Sequence, residues 1–451
     1  MKKNLLLFPI ILLMMSVFVA CTPDDGVDVP SGNDQPALTY EVKSDVQVPI
    51  TLFLGSMPEE YAAIKGYLGQ AFTMRENALE EALGSDIQIG FRKVTYTYPS
   101  TDVKGNPITL SSAAFWLGYF VNGTWTDLQP DNICLMEHYT ITSDDEAPSN
   151  AYALEMFVTG NTLTIMPDYI GYGVTKDMHH PYLNHDVCAI NSIDALTAGY
   201  DLFGDSVKNG MADGWKLYLA GASQGAANAI AVHKYMDTNP NFAAKWNFAG
   251  SNCSSGPYSP VATIDKYYSD GKVAYPVVFP LVVKTMFDSY PEIMGDFTEE
   301  MAYSENYLAA RKEIEEMIAS KKHNTAAINQ VFLDKVRKTV DNNLAADEIY
   351  LSDILSPEIL DKNSPLCKAF YLCLEKNDLT KGWTPIRPMK LHYSPFDAVV
   401  PQENTLAIFE AFGADIVTLE KSELPVDHAT TCSLWMVGLL GKGQIYKTIN
   451  N

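Results

Sequence analysis

Positive charge is scarce in this chain. Across 451 residues, 32 Lys and Arg stand against 55 Asp and Glu, a formal net charge of −23. A protein that grips nucleic acid through its phosphates needs the opposite balance, so the charge argues against sequence-independent nucleic-acid binding. No nucleic-acid module is written in the chain either. Beyond the first twenty residues no apolar run reaches the ~20 residues of a spanning helix, which excludes a polytopic helical membrane protein. Cysteine is also sparse. The seven residues form no short metal-type pair, Cys367 and Cys373 being the closest, so no zinc finger or ribbon is present. Internal repeats are absent. What the chain does have is apolar mass: it is 47% hydrophobic, 11% aromatic and only 19% charged, a composition that builds a large core and does not stay disordered. At this length one large α/β domain with an insertion, or two domains, is expected.

The only long apolar run, Leu5–Val19, follows Lys2-Lys3 and precedes Ala20-Cys21. A basic start, an apolar stretch and a small residue at the cut read as a secretory signal over residues 1–20. Cys21 after Phe18-Val19-Ala20 resembles a bacterial lipobox, whose cysteine is acylated after cleavage. Residues 21–37, rich in Pro, Gly and Asp, read as a flexible linker between that lipid and the folded part. Thr22-Pro23-Asp24-Asp25 looks like the acidic surface-export tag of Bacteroides-type lipoproteins. The expectation is a protein lipid-anchored in the bacterial cell envelope, at the outer membrane and exposed at the surface. The six remaining cysteines leave disulfides and buried thiols both open.

Along the chain, helical spacing of Leu68, Phe72, Leu79 and Leu83 predicts a helix within 59–83. Ile89–Tyr98 and Ile108–Trp116, separated by Lys104-Gly105-Asn106-Pro107, predict a hairpin. From about residue 130 short apolar runs alternate with helices, the pattern of a parallel sheet. Strands are expected at Ile133–Glu137, Leu163–Met166, Leu217–Ala220, Asn247–Gly250, Lys390–Tyr393 and Ile416–Leu419. Helices are expected at Asn184–Phe203, Ala226–Met236 and Glu403–Phe412. Between 257 and 385 the strand rhythm is lost, and helices at Tyr307–Ser320, Ala326–Val340 and Ile349–Leu355 predict a helical insertion.

The chemical signal lies in Gly221-Ala222-Ser223-Gln224-Gly225. An apolar strand, Leu217–Ala220, runs into it, and an alanine-rich helix follows. Two glycines let strand and helix approach around a sharp turn that presents the serine hydroxyl. That hydroxyl is a poor nucleophile until a base takes its proton, and the base needs an acid to orient it. In folds built on this turn the chain order is Ser, acid, His. From the resumed sheet onward the histidines are His392, inside a strand, and His428, in a loop before a helix; the loop position suits the base. Asp397 follows the Lys390–Tyr393 strand, and Asp427 directly precedes His428. Side chains of adjacent residues in an extended loop diverge, which favours Asp397. The Gln224 amide would supply one oxyanion donor, and the amide of Tyr139 or Thr140, after the Ile133–Glu137 strand, the second.

Taken with Pro167-Asp168-Tyr169-Ile170-Gly171-Tyr172-Gly173, His180-Pro181-Tyr182-Leu183 and Ser192-Ile193-Asp194-Ala195, the elbow resembles the secretory-lipase family of α/β-hydrolases. The likeness spans about 130–256 and 386–432. It implies Ser223, Asp397 and His428 as a catalytic triad, no cofactor and a packing role for His-Pro-Tyr-Leu. Two residues depart from the pattern: His138-Tyr139 stands where relatives have His-Gly, and Ala226 replaces a second Gly. Because Gly tolerates positive φ and Tyr does not, the first departure bears on the oxyanion loop. His179, His180, His185 and Asp186 fit no zinc spacing, so no metal is expected. The resulting reading is an α/β-hydrolase fold, a mostly parallel sheet flanked by helices. Its core comprises residues 38–256 and 386–451, and 257–385 form a helical cap. The expected activity is hydrolysis of a small-molecule or lipid-like carboxylic ester through acyl-Ser223. An exopeptidase of prolyl-peptidase type and a non-catalytic ligand-binding lipoprotein are the alternatives.

Overall fold

The computed structural model describes residues 40–56, 62–84, 86–152, 161–203 and 214–441. The expected signal peptide, Cys21 and the whole of the expected linker, residues 21–37, lie outside the described residues. A ten-stranded sheet organises the molecule. Its strands are β1 (Glu41–Pro49), β2 (Ile87–Thr101), β3 (Pro107–Val121), β4 (Thr124–Asp127), β5 (Asn132–Glu137), β6 (Thr162–Pro167), β7 (Leu217–Ala222) and β8 (Phe248–Ser254). A separate two-stranded pairing joins β9 (Lys272–Val273) to β10 (Ile349–Tyr350), and the main sheet then resumes with β11 (Met389–Tyr393) and β12 (Val417–Lys421). The order across it is β1-β2-β3-β6-β5-β7-β8-β11-β12, with β4 paired to β3. From β6 to β12 all neighbours are parallel, while β1, β2 and β3 form an antiparallel flank.

The expected hairpin is β2–β3, paired from Ile87 with Val121 to Thr101 with Pro107. Its turn is held by Asp102, whose Oδ1 accepts the amides of Lys104 and Asn106 at 2.8 Å each, and Gly105 supplies the positive φ of 77°.

The central strands read as near-continuous apolar runs because both faces are covered. Ile133, Leu135, Leu217 and Leu219 point into one apolar cluster, beneath helices His185–Leu202 and Gln224–Thr238. The alternate residues Cys134, Met136, Tyr218 and Ala220 point into a second, with Ile50, Leu68, Trp435 and Met436. Burying one such Leu or Ile stabilises the fold by about 1.5–3 kcal/mol, so the layering dominates the energetics. Ala226, Ala227, Ala229 and Ala231, all buried, let the helix after β7 lie close on the sheet.

Between β8 and β11 helices dominate: Pro260–Asp270, Val278–Ser289, Glu305–Ser320, Thr325–Val331 and Pro365–Lys376 surround an apolar cluster of their own. Two expectations are corrected here. The helix expected over 326–340 is an α-helix only to Val331; it widens into a π-turn at Phe332–Val336 and ends at Arg337, whose backbone is extended. The segment expected to be helical over 349–355 starts instead as strand β10, whose Ile349 pairs with Val273, and only Leu351–Ile354 turn helical. Sequence spacing cannot see a partner strand 76 residues away. The six described cysteines are all buried, and none is in a disulfide.

Candidate active site

Ser223 sits between the last residue of β7 and the first turn of the following helix, at φ 55° and ψ −124°. Few non-glycine residues adopt that conformation, and the surroundings hold it there. Its own N–H donates to the Ser254 carbonyl of the neighbouring strand at 2.9 Å. The flanking glycines are steric necessities. A Cβ at Gly221 would lie 2.3 Å from the Gly225 carbonyl oxygen, and one at Gly225 would lie 2.1 Å from the Glu137 carbonyl oxygen. Strand β5, the elbow and the helix are therefore packed backbone to backbone.

His428 opens helix His428–Gly441, after the loop that leaves β12. Its Nε2 is 2.9 Å from Ser223 Oγ and its Nδ1 is 2.7 Å from Asp397 Oδ2. A neutral imidazole that donates from Nδ1 to the carboxylate leaves Nε2 free to accept the serine proton. Asp397 is fixed in turn: its Oδ1 accepts the amides of Val399 and Val400 at 2.9 and 2.8 Å. Ser394 Oγ, donating to the Val426 carbonyl at 2.8 Å, ties the acid's loop to the histidine's loop. Asp427 has a different task. It is exposed, and its Oδ1 accepts the Thr430 amide at 2.8 Å, capping the helix that His428 begins. His392 stays within β11, its Nδ1 3.3 Å from Ser254 Oγ.

Of the residues expected around the oxyanion, Gln224 begins the helix after Ser223, where the first N–H groups have no intrahelical acceptor. Thr140 lines the same pocket as Ser223. Tyr139 turns its ring against Ile141, Ala147, Tyr169 and Tyr172. It is not among the positive-φ residues, so Tyr in place of Gly creates no left-handed strain.

Two features near the elbow were not found from the sequence. Glu137 ends β5 fully buried, and burial pushes its carboxyl up to about 7, against the milder opposing effect of the nearby Ser192 and Tyr169 hydroxyls. An acid closing the apolar run Ile-Cys-Leu-Met was the available signal. The second feature is His180, which sequence reading gave only a packing role. Its Nε2 lies 2.6 Å from the Gln224 side-chain amide. The other histidines weighed as ligands are tied elsewhere: His185 Nδ1 lies 2.7 Å from the Asn377 carbonyl, and His179 Nε2 lies 3.2 Å from Thr285 Oγ1.

In front of Ser223 opens a pocket. Its walls are mostly apolar, with Ile264, Phe279, Val282, Phe370 and Leu374 from the 257–385 segment and Val399 and Val400 beside Asp397. Tyr267, also on the wall, donates its hydroxyl to the Val399 carbonyl and so joins the two parts.

No protein-family model matches the chain. No curated protein matches it either. Solved structures do. The rice cell wall degrading esterase LipA from Xanthomonas oryzae is 19% identical, with a TM-score of 0.62 over 83% of this chain and 96% of that one. A ligand-bound form of the same esterase is 18% identical, with a TM-score of 0.63 over 92% of this chain and 100% of that one. A candidate hydrolase from Legionella pneumophila is 17% identical, with a TM-score of 0.59 over 90% and 97%. At these identities the likeness concerns the fold alone: this chain shares the mostly parallel, helix-flanked sheet of that α/β-hydrolase-fold esterase.

Proposed function

We propose that the protein is a serine hydrolase that cleaves carboxylic esters through an acyl-Ser223 intermediate. The observation that carries this reading is the relay Ser223 Oγ–His428 Nε2 at 2.9 Å and His428 Nδ1–Asp397 Oδ2 at 2.7 Å, set on a strained turn facing an apolar pocket. His428 takes the serine proton as Oγ attacks the ester carbonyl, and then delivers it to the departing alcohol. Asp397 keeps the imidazole in the tautomer that can accept and balances the imidazolium. The amide of Gln224, with that of Thr140 or Tyr139, stabilises the tetrahedral oxyanion. Water then enters by the same route and releases the acid.

The pocket walls favour an acyl chain over the ammonium of a peptide N-terminus, since aliphatic and aromatic side chains leave a cation desolvated and unpaired. The esterase identity of the Xanthomonas oryzae neighbour points the same way. A panel of p-nitrophenyl esters and aminoacyl p-nitroanilides tests the assignment: turnover of esters with little or none of the amides is expected, and the reverse preference would replace it with a peptidase. We place the protein at the cell envelope, lipid-anchored through Cys21. Cell fractionation of Cys21→Ser should show it leaving the membrane fraction or failing to mature, and unchanged membrane retention would rule that anchor out.

A further inference from the structure

The segment His180-Pro181-Tyr182 touches both walls of the expected oxyanion hole. His180 is 1% exposed and held at both ring nitrogens. Nδ1 lies 2.8 Å from the Ile170 carbonyl, an acceptor only, so that nitrogen carries the proton. Nε2 is then an acceptor, and the Gln224 side-chain amide donates to it at 2.6 Å. Burial keeps the ring neutral, holding it well below the usual histidine range. Gln224 is itself 1% exposed, so its side chain has little freedom. Two residues further on, the Tyr182 hydroxyl lies 2.9 Å from Thr140 Oγ1, and both residues line the pocket at Ser223.

The rest of the Asp168–Gly173 motif supports this segment. His180 stacks on Tyr169 with ring centroids 5.7 Å apart, and Tyr169 stacks on His138 at 4.0 Å. A Cβ at Gly171, which has φ 91°, would stand 2.8 Å from the His180 nitrogen. That nitrogen belongs to the backbone, so glycine there lets the chain at residue 180 pass close by. On its other side, Tyr182 and Leu183 belong to the apolar cluster of the 257–385 segment.

We propose that His180 and Tyr182 are positioning residues for the hydrolysis, a brace that fixes the two oxyanion donors through the Gln224 side chain and the Thr140 hydroxyl. This rests on the ester-hydrolase reading. The brace touches no substrate. Its effect is on where Gln224 and Thr140 hold their N–H groups as charge develops on the carbonyl oxygen.

His180→Asn keeps the hydrogen bond to Ile170 and removes the one to Gln224, whereas His180→Gln can still accept from Gln224. Steady-state kinetics on a p-nitrophenyl ester should show kcat lower by roughly ten- to a hundredfold in His180→Asn with KM little changed. Affinity for a trifluoromethyl ketone, which forms a tetrahedral adduct on the serine, should fall by the same factor. Tyr182→Phe should act in the same direction, and His180→Gln should recover most of the loss. An unchanged kcat in folded His180→Asn overturns the brace. So does a loss of kcat with undiminished affinity for the ketone. Should His180→Asn fail to fold, Gln224→Met, which keeps the backbone amide, is read against the same outcomes. The underlying reading fails separately: wild-type protein that neither turns over esters nor reacts with a fluorophosphonate removes the hydrolase and the brace together. An active wild type with an indifferent brace removes the brace alone.

Discussion

Ser223, Asp397 and His428 stand in the segments that follow β7, β11 and β12, all at the carboxyl edge of one parallel sheet. The apolar wall they face is carried largely by helices between β8 and β11, which have their own hydrophobic cluster. In the sheet region, backbone contacts leave no slack: Gly221 and Gly225 cannot gain even a Cβ. In the helical region, apolar side chains line a cavity. The first arrangement suits chemistry, which depends on geometry at the tenth of an ångström. The second suits selectivity, where one methylene more or less changes binding modestly. On the proposed reading, changes in the sheet region should therefore abolish turnover, and changes in the helical region should redistribute it.

The sharpest break is Ser223→Ala, expected to lower ester turnover by about five to six orders of magnitude while the fold survives. Circular dichroism and steady-state kinetics together check it. Next, Asp397→Asn should cut kcat by roughly 10⁴-fold, as for a triad acid exchanged for its amide. Asp427→Asn should leave kcat nearly unchanged, because Asn caps a helix about as well as Asp. The reverse ranking would move the acid to Asp427. In the helical region, Phe279→Ala or Ile264→Ala should shift the acyl-length preference by about tenfold between short and long esters, with the smallest ester least affected. An unchanged profile in both would dissociate that wall from substrate choice.

A separate expectation, on stability and not turnover, concerns Glu137. Its carboxyl is raised from the ordinary value of 4.5 to about 7 by burial, so the folded state holds the proton more tightly than the unfolded chain. Its favourable contribution is complete below pH 4.5 and is lost as pH rises through about 7, an effect of at most roughly 3 kcal/mol. Glu137→Gln should flatten that part of the stability curve, as read by urea denaturation at pH 5 and 8. Equal pH dependence in both proteins would contradict the burial of a titrating acid there.

Legibility followed the same division. Strands β5, β6 and β7 announced themselves as short apolar runs, since burial on both faces removes the polar alternation of a half-exposed strand. The elbow and the Ser, acid, His order pointed to Ser223, Asp397 and His428, and the fold brings these side chains, His428 being 205 and 31 positions beyond the other two, into hydrogen-bond contact. In 257–385 helices were foreseeable but their ends were not. The π-turn at Phe332–Val336 and the pairing of β10 with β9 depend on distant contacts that local spacing does not encode. The hydrogen bond of His180 to Gln224, beside its packing role, was hidden for a related reason. His-Pro-Tyr-Leu reads as an apolar loop, and only the fold puts that imidazole 44 residues forward in sequence against Gln224.

The central claim is a covalent acyl group on Ser223 during turnover. Acid quenching of the protein with a slowly deacylating ester, followed by intact-mass and peptide mass spectrometry, tests it directly. The account predicts one acyl group per chain, carried by the peptide with Gly221–Gly225 and absent from Ser223→Ala. Turnover of the ester with no such adduct, or with the adduct retained in Ser223→Ala, would contradict it.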